Sequence, residues 1–233
     1  MNSQAGDLRL IGGRLCLDFV NTVDSHQKPQ PKEYLVDYAA FVTWGRHAGM
    51  LDQAAMAELL RAAALRPEAA ASVLWRIRAL RQALYQICSA IAGGHRPSSA
   101  SISAHAPGAK QADFALALAT LNDALAAAPP RSRIVYTPPG FGWEYDNDAD
   151  LLEQPLRQVL WSAADLLTTT ELALVGECAG EGCSWLFLDT SLNRTRLWCS
   201  MEDCGNRAKA RRHYARKQKE NNHESLGAIS NDS

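Results

Sequence analysis

"CAGEGCSWLFLDTSLNRTRLWCSMEDCGNRAKARRHYARKQ", residues 178–218, contains two identical Cys-x4-Cys pairs, Cys178/Cys183 and Cys199/Cys204, separated by 15 residues and followed by a basic run. Tetrahedral Zn²⁺ takes four soft ligands at about 2.3 Å, and two short loops held face to face are the usual way to supply them. Four intervening residues is the wide end of the common loop length, so the duplication carries the reading. Cys178, Cys183, Cys199 and Cys204 are expected to bind one structural zinc per chain, with an iron–sulfur centre or unliganded thiols as the alternatives. Four protein ligands leave no open position for water, which makes a catalytic role poor chemistry. A segment this small cannot bury a core, so the metal would supply most of its folding free energy, about 10 kcal/mol or more. His213 stands nine residues past the last cysteine, outside knuckle spacing.

Between the pairs, "WLFLD" and "TRLW" flank "TSLN" and predict a β-hairpin that brings the second loop beside the first. Gly205 directly follows Cys204, where a left-handed conformation is expected, and Asn206 stands at the N-cap position of a helix over residues 207–218. Residues 205–219 carry seven Lys/Arg and no acid, while residues 1–177 carry 15 Lys/Arg against 18 Asp/Glu, so a net charge of -1 hides a basic end. At 100° per residue Arg207, Arg211 and Tyr214 share one face and Lys209, Arg212 and Arg216 the opposite one. Such a helix suits a groove walled by phosphates; the alternative is a solvated, fraying tail. Arg207 and Asn206, at the start of the helix, have the chemistry to read guanine and adenine edges, and Arg194 and Arg196 on the hairpin would contact phosphate. Trp185, Phe187 and Trp198 read as hydrophobic cover over the metal in preference to base-stacking platforms.

Upstream, the 233 residues fit one large domain plus this module. Residues 8–23 hold two β-prone runs around Gly12-Gly13 and predict a hairpin, and residues 131–145 give two more strand-like runs that would join it in one sheet. Helices are expected after Asp37 and Asp52 as N-caps, over residues 67–92, over residues 111–127 and around residues 153–172. In the third of these, Arg76, Arg78 and Arg81 read as a solvated face. Residues 93–110, rich in Gly, Pro and Ser, read as a surface loop or a lid. Cys16 and Cys88 sit alone in apolar runs as small core residues. The expected fold is α+β: a mostly helical N-terminal domain with a small antiparallel sheet over residues 1–174, a zinc-ribbon-like module of hairpin and basic helix over residues 175–219, and a disordered polar tail over residues 220–233. The start lacks a signal peptide and no apolar run approaches the roughly 20 residues of a membrane span, so a cytoplasmic protein is expected.

Asp18, Asn21 and Thr22 interrupt the apolar run "LCLDFVNT". They line an effector pocket, with Trp44 or Trp143, on one reading; on the other they satisfy a neighbouring turn. HExxH, GxSxG, phosphate-loop and dinucleotide signatures are missing and the histidines are scattered, so an enzyme is not expected.

The C-terminal stretch, "CAGEGCSWLFLDTSLNRTRLW" followed by "WCSMEDCGNRAKARR", resembles the CGNR zinc-finger family over about 40 residues, including all four cysteines, Gly205, Asn206 and Arg207. In that family the finger usually follows an ABATE domain, and "LCLDFVNTVD" looks like the start of one. The resemblance implies a bacterial, stress-related transcription regulator that binds DNA through the finger, with an N-terminal domain that senses an effector or forms a homodimer. A zinc-stabilised RNA-binding or protein-interaction module is the alternative.

Overall fold

The computed structural model describes residues 4–93, 109–128, 131–137, 140–145 and 150–229. The fold is α+β and mostly helical. Helices α1 (Leu15–Val20), α2 (Tyr38–His47), α3 (Gln53–Leu65), α4 (Pro67–Ala92) and α5 (Ala109–Ala127) precede strands β1 (Arg131–Thr137) and β2 (Gly140–Tyr145). Helix α6 (Gln154–Thr168), strands β3 (Val175–Glu177) and β4 (Leu186–Leu188) and helix α7 (Asn206–Ile229) complete the chain.

Helix α4 is the central post. It touches α1, α2, α3, α5 and both strands β3 and β4, because Val73, Ile77, Leu80, Leu84 and Ile87 recur at helical spacing and are all buried. Pro67 occupies its first turn, where the missing N–H costs nothing. Around it α1 and α2 supply Phe19, Phe41 and Trp44, with ring centroids 5.7 to 6.4 Å apart. The predicted aspartate caps are present: Asp37 accepts from Ala40 N–H at 2.7 Å and Asp52 from Ala55 N–H at 2.8 Å.

Four local expectations give way to tertiary structure. Residues 8–23 form no hairpin: Gly13 takes φ +79° and turns the chain into α1, whose Cys16, Leu17, Phe19 and Val20 are buried. A continuous apolar run suits a helix surrounded by other helices as well as it suits a strand. β1 and β2 therefore pair only with each other, and β3 with β4 forms a second antiparallel sheet. Arg81 is not on a solvated face. The segment before α2 folds back over α4, where Arg81 donates to Glu33 Oε1 at 2.7 Å and to the Thr22 carbonyl at 3.1 Å. The backbone of α7 also runs on to Ile229, ten residues into the stretch expected as tail, since nothing from residue 218 to Gly227 breaks a helix. The loop expected near residues 93–110 falls largely outside the described residues.

Candidate metal centre and its attachment

The four sulfurs of Cys178, Cys183, Cys199 and Cys204 lie within 4.8 Å of one another. Cys183 to Cys199 is 3.8 Å and Cys199 to Cys204 is 3.6 Å, against about 3.8 Å for sulfurs placed tetrahedrally around one ion with bonds of about 2.3 Å. Sulfurs holding a cluster of several irons are spread farther apart, so the cage fits a single ion. Without a cation the thiols share protons. Hydrogen bonds from Cys183 and Cys199 hold the Cys178 thiol down at about 2, and donating to Cys178 pushes Cys183 up to about 12 and raises Cys199 as well. Only a cation allows all four to ionise together. Cys16 and Cys88 are buried elsewhere; burial raises both thiols, Cys16 to about 11, leaving them unreactive.

The backbone that builds the cage differs from the expected hairpin. β4 pairs with β3, so the strands straddle the first cysteine pair, and the second run, residues 195–198, contributes a single ladder-like bond from Ala179 N–H to Leu197 C=O at 2.9 Å. Arg196 lies within this second run. Its guanidinium donates to the carbonyls of Leu188, Trp198 and Cys199 at 3.2, 3.0 and 2.6 Å and lies 4.1 Å from the Phe187 ring centre. It is turned inward, to the second cysteine loop, where a phosphate contact had been expected. Arg194, at φ +50°, is exposed beside it.

Gly180 lies under the cage: a Cβ there would stand 3.0 Å from Cys204 Sγ and 3.3 Å from Cys178 Sγ. Gly205 does not take a left-handed conformation. A Cβ there would stand 2.6 Å from Met201 Sδ, so the exposed Met201 side chain would have to swing aside to admit one. Ser200, six residues before the expected cap Asn206, caps the helical run: its Oγ accepts from Asp203 N–H at 3.3 Å, and a π-helical turn, Met201–Gly205, carries Cys204 directly into α7. Asn206 is thus already helical and its Nδ2 donates to Glu202 C=O at 3.0 Å.

Phe187, Cys178, Cys199 and Cys204 form a small buried cluster covered by Trp185, Trp198 and Ile11, the cover expected of those aromatics. The module is joined to the helical domain at many points. Val175, Leu186 and Leu188 belong to the main core. Asn21, at the end of α1, donates to Leu186 C=O at 2.9 Å and accepts from Leu186 N–H at 2.8 Å. Trp185 Nε1 donates to Val23 C=O at 2.7 Å, Leu188 N–H to Gly12 C=O at 2.9 Å, and Ser89 to Glu177 at 2.6 Å. Arg9 donates to Ser200 Oγ at 3.1 Å and Asp203 Oδ2 at 2.6 Å. No local signal in the sequence marks Arg9, whose partners lie more than 190 residues away.

The residues read as an effector pocket take part in similar contacts. Asp18 accepts from Gly12 N–H at 2.7 Å, and burial pushes its carboxyl up to about 6. Thr22 is fully buried, donating to Phe19 C=O at 2.7 Å and accepting from Arg81 at 3.0 Å. Asp18, Asn21 and Thr22 are joined to neighbouring backbone and side chains, and a cleft of about 600 Å³ lies elsewhere, lined by Arg9, Ile11 and residues 195–202. Trp44 is in the core, and only the backbone is described at Trp143.

Along α7, Arg207 Nη2 lies 3.0 Å from Cys204 Sγ and Arg211 Nη1 lies 2.5 Å from Glu181 Oε2 in the first cysteine loop. Ala208 is buried, while Lys209, Arg212 and Arg216 are exposed on the side away from the cage. His213 packs its ring against Tyr214 at 6.0 Å and takes no part in the cage.

A helical domain with a tetrathiolate module packed into its core defines a protein with a structural zinc finger. Residues 13–170 match the ABATE family model, described as "Putative stress-induced transcription regulator", and residues 175–217 match the CGNR zinc finger. The chain belongs to the ABATE family and carries a CGNR finger holding one structural zinc on Cys178, Cys183, Cys199 and Cys204. No curated protein matches the chain. No helix among the described residues is long and apolar enough to cross a membrane.

Proposed function

We propose that this is a cytoplasmic transcription regulator that binds duplex DNA through α7, and that the zinc centre and helical domain together aim that helix. The observation that supports this most directly is the exposed edge of Lys209, Arg212 and Arg216 on a helix that runs on directly from the turn holding the metal ligand Cys204. Four thiolate ligands saturate the metal, so the reading is of a binding protein and not an enzyme. RNA recognition by stacking on aromatic residues of the finger is less well supported, because Trp185 is bonded to Val23 and Trp198 covers the cage, while Tyr214, 67% exposed, is an accessible ring.

Binding of a labelled duplex, measured by anisotropy between 50 and 200 mM salt, tests the proposal. Neutralising Z phosphates makes log K fall with log salt at a slope of about -0.9Z, so Lys209 and Arg212 together predict a slope of about -1.8 or steeper. A flat salt response, or tighter binding to single-stranded RNA, would overturn it.

A further inference from the structure

We propose that Arg207 is a residue of the zinc centre: its guanidinium donates to the Cys204 thiolate and ties the metal to the first turn of α7. The Nη2 to Sγ distance is 3.0 Å, short for a nitrogen–sulfur hydrogen bond, and Cys204 is 2% exposed. The spacing explains the contact, since residues three apart on a helix lie on the same face, so Arg207 reaches back over its own ligand. A zinc ion with four thiolates keeps a formal excess of two negative charges in a partly buried site, and donors to sulfur disperse it. Cys178 receives one from the Gly180 backbone N–H at 3.4 Å. Arg207 gives Cys204 a charged donor, which is roughly twice as strong as a neutral one. One turn further on, Arg211 bonds Glu181 between the first two cysteines. The inner edge of α7 therefore joins both cysteine loops, and the outer edge of Lys209 and Arg212 faces away. Arg207 is a positioning residue for the metal and not a base-reading one, whether or not α7 meets DNA.

The test compares zinc-loaded full-length wild type with R207Q, R207K and R212Q. Zinc transfer to a colorimetric chelator is timed, and iodoacetamide labelling of Cys204 is followed by mass spectrometry. Loss of a group that orients a metal ligand typically lowers metal affinity about 10- to 100-fold. R207Q is expected to release zinc about tenfold faster or more, with Cys204 labelled sooner, R207K in between, and R212Q at the wild-type rate. With duplex DNA, R212Q is expected to reduce the salt slope by about 0.9 and R207Q to leave it unchanged. Wild-type zinc release by R207Q, or equally fast release by R212Q, would overturn the inference. Should R207Q not fold, Co²⁺ titration of R207K decides: weakened affinity supports it and wild-type affinity overturns it. If no variant, wild type included, binds DNA, the proposed function falls while the zinc arm still decides this inference.

Discussion

Replacing Asn21 with alanine removes both hydrogen bonds by which α1 holds β4, one to and one from the Leu186 backbone, at a position 2% exposed. Each bond contributes a net stabilisation of about 1 kcal/mol, and a buried backbone N–H or C=O left without a partner costs about 1–3 kcal/mol. The expected loss is about 2–4 kcal/mol. For a chain of this size, each kcal/mol lowers the melting temperature by about 2–4 °C, so thermal unfolding of zinc-loaded protein followed by circular dichroism should show a drop on the order of 5–15 °C. Asn21→Asp sharpens the argument. The carboxylate still accepts from Leu186 N–H but sets a second negative oxygen against Leu186 C=O, so the variant should be at least as unstable as Asn21→Ala at neutral pH. Burial favours the protonated carboxyl, which can donate to that carbonyl, so the folded state should hold the proton more tightly than the unfolded chain. The deficit should then shrink as pH falls toward 5. An Asn21→Ala protein within about 0.5 kcal/mol of wild type, the ordinary surface-substitution range, would refute this account of the interface.

Asp18→Asn keeps an acceptor for Gly12 N–H and removes a buried charge. Because burial raises the folded carboxyl to about 6, wild type should lose up to about 3 kcal/mol relative to the variant as pH rises from 4 to 7; urea midpoints that differ by a constant amount across that range would contradict it. Gly180→Ala places a methyl 3.0 Å from Cys204 Sγ, so zinc content after dialysis against a weak chelator should fall below wild type, and retention of one equivalent would exclude the crowding. Since Val175, Leu186 and Leu188 lie in the main core, a strong chelator should lower the stability of the helical domain in one cooperative calorimetric transition, and an unshifted second transition would show that the module is energetically separate.

Several features were legible from local signals alone. The α4 stripe, the aspartate caps at Asp37 and Asp52 and the metal cage depend on residue types and spacings within a few turns, where backbone hydrogen bonding and ligand chemistry leave few options. The apolar run of α1 does not distinguish strand from helix, because complete burial erases the alternation that separates them. Tertiary structure alone assigned the polar partners. Asn21 meets Leu186 across 165 residues of chain and Arg9 meets Asp203 across 194, while the donors of Arg196 and Arg207 turn inward to carbonyls and sulfur although the sequence suggests phosphate for Arg196 and a guanine edge for Arg207. A side chain's donors and acceptors are written in the sequence, but the atom that satisfies each one is chosen by which buried backbone group packing brings within about 3 Å.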